Sequence, residues 1–475
     1  MATSKHYSKD FHFIRQLKNI FTSKKVMIAI LVTLFFMILY NFVSKISMPF
    51  LKIENTSGLN QSALYNILNM LGGGGITNMS MFAIGISPYI TTQIIVQLLS
   101  SDVIPPLARL AKSGERGRKK IEMISRILCL PFSILQAYSI YALFSSQGIQ
   151  IESGLPTSLQ GFFYITLMVA GTYIAIFFSD LITKRGVGNG VTTIILCGIV
   201  SSLVPNFIYV KNNIDTYVQG QLYQLISFIV YIIFYLAILW IITFVNCSSR
   251  KIPIQQTGQS LMKLGDDLPY LPFKLNTGGV IPVIFASSIM SLPLTISEII
   301  KTNTGPNGFT NFSELMFSFS SWAGIIVYCV LIILFTFFYS YVQLNPNKIS
   351  NDFMKSGRFI IGVKIGKETE KYISQVLYRI NWIGGPFLAI VASLAYVASI
   401  VTTTSTGVSI IPSNAALGGT GIIILVSGTL DLWQSIVSVS TTTSYKIMRK
   451  RMEIDDAKII GNDQIMSEDV NSVLW

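Results

Sequence analysis

Charge is scarce in this sequence. Only 12% of its 475 residues are Asp, Glu, Lys or Arg, about half the share found in a soluble domain. A water-soluble globule is thereby excluded. A disordered chain is excluded as well, because 51% of the residues are hydrophobic and the mean hydropathy is +0.57. Histidine is nearly missing: His6 and His12 are the only two, both close to the start. A catalytic histidine, an intramembrane H-E-x-x-H zinc site and a histidine proton relay all lack their key residue. Cys129, Cys197, Cys247 and Cys329 lie far apart, without metal or disulfide spacing, and read as small buried hydrophobes. No P-loop occurs. Its nearest approach, Gly366-Lys367, is followed by Glu368. The chain brings no ATPase of its own, and no cofactor or metal is expected.

What is abundant is long apolar runs. A membrane-crossing helix needs about 20 apolar residues. Ten candidate spans fall near 26–42, 79–99, 127–143, 159–178, 191–208, 222–245, 279–296, 322–341, 382–401 and 417–433. The first 25 residues are basic and polar, with no small-residue cleavage site, so no removable signal peptide is expected. The net charge of +13 fits either a nucleic-acid binder or a membrane protein with basic inner loops. Position decides. With both termini cytoplasmic, the inner segments hold 31 of the 35 Lys and Arg, and the outer loops hold only Lys45, Lys52, Lys211 and Lys301. That asymmetry is the positive-inside pattern, and an odd error in span number would scramble it.

Two inner loops, 247–278 and 343–379, are longer than topology requires, and the second carries seven basic residues. They read as a docking surface. Charges inside the spans are nearly absent, with Asp180 and Asp431 near cytoplasmic ends, which argues against an ion-coupled pump. A short apolar segment, 64–71, runs into Gly72, Gly73, Gly74 and Gly75, and reads as a re-entrant half-helix with a hinge or as a floppy outer loop. Pro88 and Pro282 fall within the second and seventh spans, where proline is expected to kink a helix. Those spans hold corresponding places in two five-helix halves, the arithmetic of an inverted repeat. Ile86 and Ile90 are four apart, as are Val191 and Ile195, so each pair shares a helix face.

Ordered motifs then carry a family resemblance. They are Phe82–Ile90, Gly114–Arg118, Arg185–Gly190, Ile252–Gln255, Leu275–Ser288, Phe338-Tyr339, Asn345-Pro346 and Gly418–Thr420. Together with ten spans, over roughly residues 15–450, they resemble the SecY family of bacterial-type protein translocase channels, here as a divergent or accessory member. The resemblance implies an all-α polytopic membrane protein, a clamshell of two inverted five-helix halves. The cytoplasmic tails would be 1–25 and 441–475. The first half would be 26–208, with a plug near 60–78, and the second 209–440. The function implied is a protein-conducting channel of the plasma membrane, not an enzyme. It passes unfolded preproteins outward and releases signal sequences and other apolar helices sideways into the lipid bilayer.

By the same resemblance, Ile86, Ile90, Val191, Ile195, Ile284 and Ile424 would form the pore ring. Leu68, Leu71 and the four glycines would be plug and hinge. Thr91, Gln136 and Asn276 would line the lateral gate, hydrogen-bonding across it when closed. The inner loops, with Arg250, Lys251, Arg358, Lys364 and Lys367, would dock the SecA motor ATPase and the ribosome. SecE-like and SecG-like small membrane subunits would complete the assembly. Departures fall in the loops: Gly362-Val363-Lys364-Ile365-Gly366 stands where the family has Gly-Ile-Arg-Pro-Gly, and lysine loses the bidentate fork of arginine. Val191 stands where the family prefers isoleucine. The alternative reading is a secondary transporter of a small solute, which should need a mid-membrane ion site.

Overall fold

The computed structural model describes residues 23–49, 79–100, 104–146, 157–217, 221–256, 269–406 and 419–459. Seven helices fill the first part: α1 (Lys24–Lys45), α2 (Ser87–Ser100), α3 (Pro105–Lys112), α4 (Glu115–Ser146), α5 (Thr157–Arg185), α6 (Gly190–Tyr217) and α7 (Gln221–Cys247). Strands β1 (Ser249–Gln256) and β2 (Tyr270–Lys274) follow, then α8 (Ile281–Thr304), α9 (Gly308–Phe317), α10 (Trp322–Leu344) and α11 (Pro346–Ser356). Strand β3 (Arg358–Ile360), α12 (Lys367–Thr406) and α13 (Gly419–Ile459) complete the order. Among the described residues nine helices are long and apolar enough to cross a membrane. The count is ten if Ser87–Ser100 and Pro105–Ala111, bent by 101°, form one span. The chain is a multi-pass membrane protein.

The chain divides into two compact units. One comprises Met1–Phe42, Ile176–Ile194 and Gly428–Trp475; the other comprises Val43–Ala175 and Ile195–Ser427. In the first, Thr33 Oγ1 on α1 accepts the Val187 N–H at 2.9 Å, and Phe36 meets Phe178 at 5.5 Å between ring centroids. Asn189 caps the start of α6. Its Oδ1 accepts the Val191 N–H at 3.0 Å, satisfying a donor the helix cannot.

In the second unit, α4 packs against α2 and α8, and α10 against α8 and α12. Described parts of the two long loops fold together here. Their strands form one sheet in the order β2-β1-β3, with Ile254 opposite Ile360 and Arg250 opposite Phe273. Ile252, Ile254, Phe273, Phe353, Ile360 and Ile373 bury one shared core beneath it, each contributing about 1.5–3 kcal/mol by burial. Asn345 ends α10 and starts α11: its side chain accepts the Lys348 N–H at 3.2 Å, and Pro346 fills the first turn, where a missing N–H is harmless. The Asn-Pro pair is a corner between two helices.

Two sequence expectations are corrected. Pro88 and Pro282 do not kink their spans. Each is the second residue of its helix, α2 and α8, a place where proline's fixed φ favours helix formation. For the same reason the second span is helical only from Ser87, and residues 81–86 form turns. Both helices are entered in the same way: Gly85 (φ 58°) and Gly279 (φ 62°) stand three residues before the proline, in a left-handed conformation that disfavours a side chain. This shared Gly-x-x-Pro entry is the internal repeat signal at the local level.

Candidate pore and lateral gate

The glycine–proline turns place the isoleucines. Ile86 sits in the last turn before α2, and the Ile90 N–H donates to the Ile86 carbonyl at 3.2 Å, so the two stack across the first turn. Ile284 occupies the matching place in α8, its N–H 3.3 Å from the Val280 carbonyl. α2 and α8 pack on each other. Ile86 and Ile424 are 0% exposed, Ile195 1%, and Ile90 and Ile284 5%. These five belong to one unit, and none is exposed as Leu236 and Ile390 are, at 56% and 63%. Val191 is half-buried and belongs to the other unit. Leu68, Leu71 and Gly72–Gly75 lie outside the described residues.

Along α2, α4 and α8 the polar side chains are turned inward but mostly satisfied within their own helix. Thr91 Oγ1 donates to the Ser87 carbonyl at 3.1 Å, and Thr295 Oγ1 to that of Ser291 at 2.7 Å. A hydrogen bond between α4 and α8 is one that sequence reasoning missed: buried Ser139 Oγ on α4 lies 3.2 Å from the Thr295 carbonyl on α8 and shares its proton between that oxygen and the Leu135 carbonyl of its own helix, at 3.0 Å. Asn276 does not reach α2 or α4. Its Nδ2 donates to Asn246 Oδ1 on α7 at 2.8 Å and to the Gly279 carbonyl at 3.1 Å, and Asn246 Nδ2 donates on to Ser427 Oγ at 3.1 Å. Asn276 therefore ties the entry of α8 to α7 and α13.

Gln136 is 1% exposed, and neither of its amide atoms finds a hydrogen-bond partner among the described residues. Ser87 Oγ and Ser288 Oγ share that condition. So α2, α4 and α8 each carry at least one such group. A buried, unpaired amide costs about 1–3 kcal/mol in proteins, so the packed arrangement of these helices is held back from full stability. Gln136→Leu should raise the thermal unfolding midpoint in detergent, whereas Ser139→Ala should lower it slightly, by the loss of a bond worth about 0.6 kcal/mol. A lowered midpoint for Gln136→Leu would show that the amide is paired after all.

The cations expected in the docking loops are all exposed, and three of them stand on one sheet, Arg250 and Lys251 toward one end of β1 and Arg358 across from its other end. Arg250 and Lys251 stand at the start of β1 and Arg358 opens β3, opposite Gln256. Lys251 Nζ lies 4.7 Å from the Tyr270 ring centroid. Lys364 and Lys367 follow in the turn that leads into α12.

Comparison with known proteins follows this geometry. A family model described as SecY matches residues 80–433. The chain is 47% identical over 437 residues to the protein translocase subunit SecY of Mycoplasmoides gallisepticum, covering 90% of this chain and 85% of that one. It is 41% identical over 464 residues to that of Mycoplasma pneumoniae, covering 95% and 94%. Among solved structures, that of a protein conducting channel superposes with a TM-score of 0.63 at 18% identity, over 86% of this chain and 91% of the other. Sec61 in the canine ribosome–channel complex from the endoplasmic reticulum gives 0.59 at 17%, over 86% and 91%.

Proposed function

The chain belongs to the SecY family and is a protein-conducting channel, not an enzyme, and from that premise we propose how its residues conduct and release polypeptide. Ile86, Ile90, Ile195, Ile284 and Ile424 form the constriction, and Val191 is assigned to it from the sequence. A belt of branched apolar side chains excludes ions by dewetting, because no group in it can replace lost hydration. It makes no strong hydrogen bond to a passing chain, so it closes around any sequence. The burial of five of the six is the observation that carries this reading. Leu68, Leu71 and the Gly72–Gly75 hinge are assigned as plug from the sequence.

The lateral gate runs between α2 and α4 on one side and α8 and α10 on the other. Thr91, Gln136 and Asn276 stand at or beside it. An entering signal helix separates these elements. Gate opening then breaks the weak Ser139–Thr295 bond and frees Gln136 from its unsatisfied burial among the described residues. That balance suits a gate that an apolar helix of about 20 residues can displace.

The protein sits in the plasma membrane with both termini cytoplasmic, a reading supported by the division of 31 basic residues inside to 4 outside. The basic sheet, with Lys364 and Lys367, docks the SecA motor and the ribosome, and SecE-like and SecG-like subunits accompany the channel. The solute-transporter reading is not favoured, since the matched relatives are translocase subunits. The test is reconstitution: the chain and its small partners in proteoliposomes, with SecA, ATP and a signal-bearing preprotein. Signal-dependent protection of the preprotein from added protease is the expected result. Equal protection with and without the signal would overturn the gate assignment.

A further inference from the structure

A cavity of about 550 Å³ opens between the end of α10 and the start of α12, well apart from the pore helices in sequence. Its walls are of two kinds. Phe337, Tyr341 and Tyr378 supply aromatic surface, while Lys371 and Arg379 supply cationic groups, and among the described residues no carboxylate lines it. Lys371, Gln375 and Arg379 are spaced four apart on α12, so they form one stripe. Among the described residues neither Lys371 nor Arg379 makes an ion pair.

One wall is built rather than incidental. Asn381 is 3% exposed and lines the cavity. Its Oδ1 accepts from Thr277 Oγ1 and from Ser340 Oγ, each at 3.0 Å. The amide is thereby oriented, and its Nδ2 donors remain unused among the described residues. Phe337, Tyr378 and Trp382 form a cluster with centroids 5.6–6.2 Å apart.

The level of the cavity identifies its occupant. Here α10 passes from its apolar run into Gln343-Leu344-Asn345, and α12 passes from Lys371–Arg379 into an apolar run. Both transitions mark the same membrane face, and aromatic side chains collect at such boundaries. Below the cavity, Trp382, Ile383 and Ile390 on α12 and Leu334 and Val330 on α10 are 55–63% exposed. A ligand held here therefore meets cations and an amide at one end and a lipid-facing apolar wall at the other. A free phosphate would leave that wall unused. We propose that this cavity is a binding site for an anionic phospholipid of the basic-loop leaflet, its phosphodiester held by Lys371, Arg379 and Asn381 and its acyl chains lying along α10 and α12.

The test uses the full chain, purified in detergent with its small membrane partners, in native mass spectrometry with phosphatidylglycerol or phosphatidylcholine added. Lys371→Gln with Arg379→Gln should reduce phosphatidylglycerol retention about tenfold, given the attraction typical of a basic side chain for anionic lipid. Lys348→Gln with Lys355→Gln, which removes the same charge from exposed sites on α11, should leave retention within about twofold, and Arg379→Lys should keep most of it. Equal losses in the two double variants would overturn the site, as would equal retention of phosphatidylcholine. Displacement by millimolar inorganic phosphate would reassign it as a free-anion site. Lipid held by the chain alone but absent from the assembled complex would give the cavity to a partner subunit.

Discussion

Asparagine at Ile86, Ile90, Ile284 and Ile424 together should convert a sealed channel into an ion leak. These side chains are 0–5% exposed, with no polar group of their own to offer. The barrier to an ion at such a neck is the loss of its hydration, and that barrier vanishes once the neck holds water. An amide buried without a partner costs about 1–3 kcal/mol, a penalty that water entering the neck relieves. The substitution therefore stabilises the wet state and destabilises the dry one at the same positions. Each 1.36 kcal/mol is a factor of ten in rate, so four such sites should raise resting conductance by well over about tenfold. Chloride or potassium flux from proteoliposomes without SecA reads this directly. Signal discrimination should relax as well, because the closed state loses its advantage. Leu236→Asn and Ile390→Asn, on surfaces 56% and 63% exposed, should leave the flux near its basal value. Unchanged flux in the quadruple variant would remove the ring assignment.

Gly419→Ala should be among the most damaging single substitutions in the chain. Gly419 opens α13, and a Cβ there would stand 1.6 Å from the Val391 carbonyl oxygen and 3.1 Å from the Ala392 Cα of α12. Both neighbours are backbone, so α13 itself must move. Ile422, Ile423 and Ile424, all at 0–1% exposure, lie within the next turn and move with it. Overpacking of this kind costs about 1–3 kcal/mol, occasionally more, or roughly 1–3 °C in a thermal unfolding midpoint for a chain of this size. The control is Gly385→Ala in α12, whose Cβ would meet Ile333 and Thr336 at 3.7–3.8 Å, an ordinary contact. Alanine is the better helix former by about 0.5–1 kcal/mol, so Gly385→Ala should be neutral or slightly stabilising. Equal behaviour of the two variants in a detergent unfolding assay would mean that helix propensity, and not the α12–α13 approach, governs these glycines.

Much of this could be read from the chain because membranes impose simple rules. Apolar length places the spans, and the distribution of lysine and arginine supports the orientation proposed for them, since an error of one span would move whole basic loops to the other side. What could not be read depends on groups distant in sequence. The β1–β3 pairing joins Ile254 to Ile360 across the entire α8–α11 region, and Pro253 and Pro272 disguise the strands as turn sequence. Pro88 and Pro282 were ambiguous on their own, because proline breaks a helix interior but favours a first turn. The glycine three residues before each was the available signal. Thr91 and Asn276 were expected to bond across the gate, yet a threonine in a helix can satisfy itself on its own backbone, and Asn276 found Asn246 on a neighbouring helix. Ser139 carried no motif. Only the packing of α4 on α8 turns an ordinary helix serine into a bridge.

The most direct measurement is photocrosslinking of an arrested preprotein. A crosslinking amino acid is placed singly at Ile86, Ile284 and Ile424, and at lipid-facing Leu236 and Ile390 as controls. A signal-bearing chain is then stalled halfway by a folded C-terminal domain. If polypeptide passes through the apolar neck, the stalled chain crosslinks at each of the three neck positions and at neither control. Crosslinks confined to the lipid-facing positions, or their absence at all three neck positions while the chain is demonstrably stalled, would contradict a path through the centre of the protein.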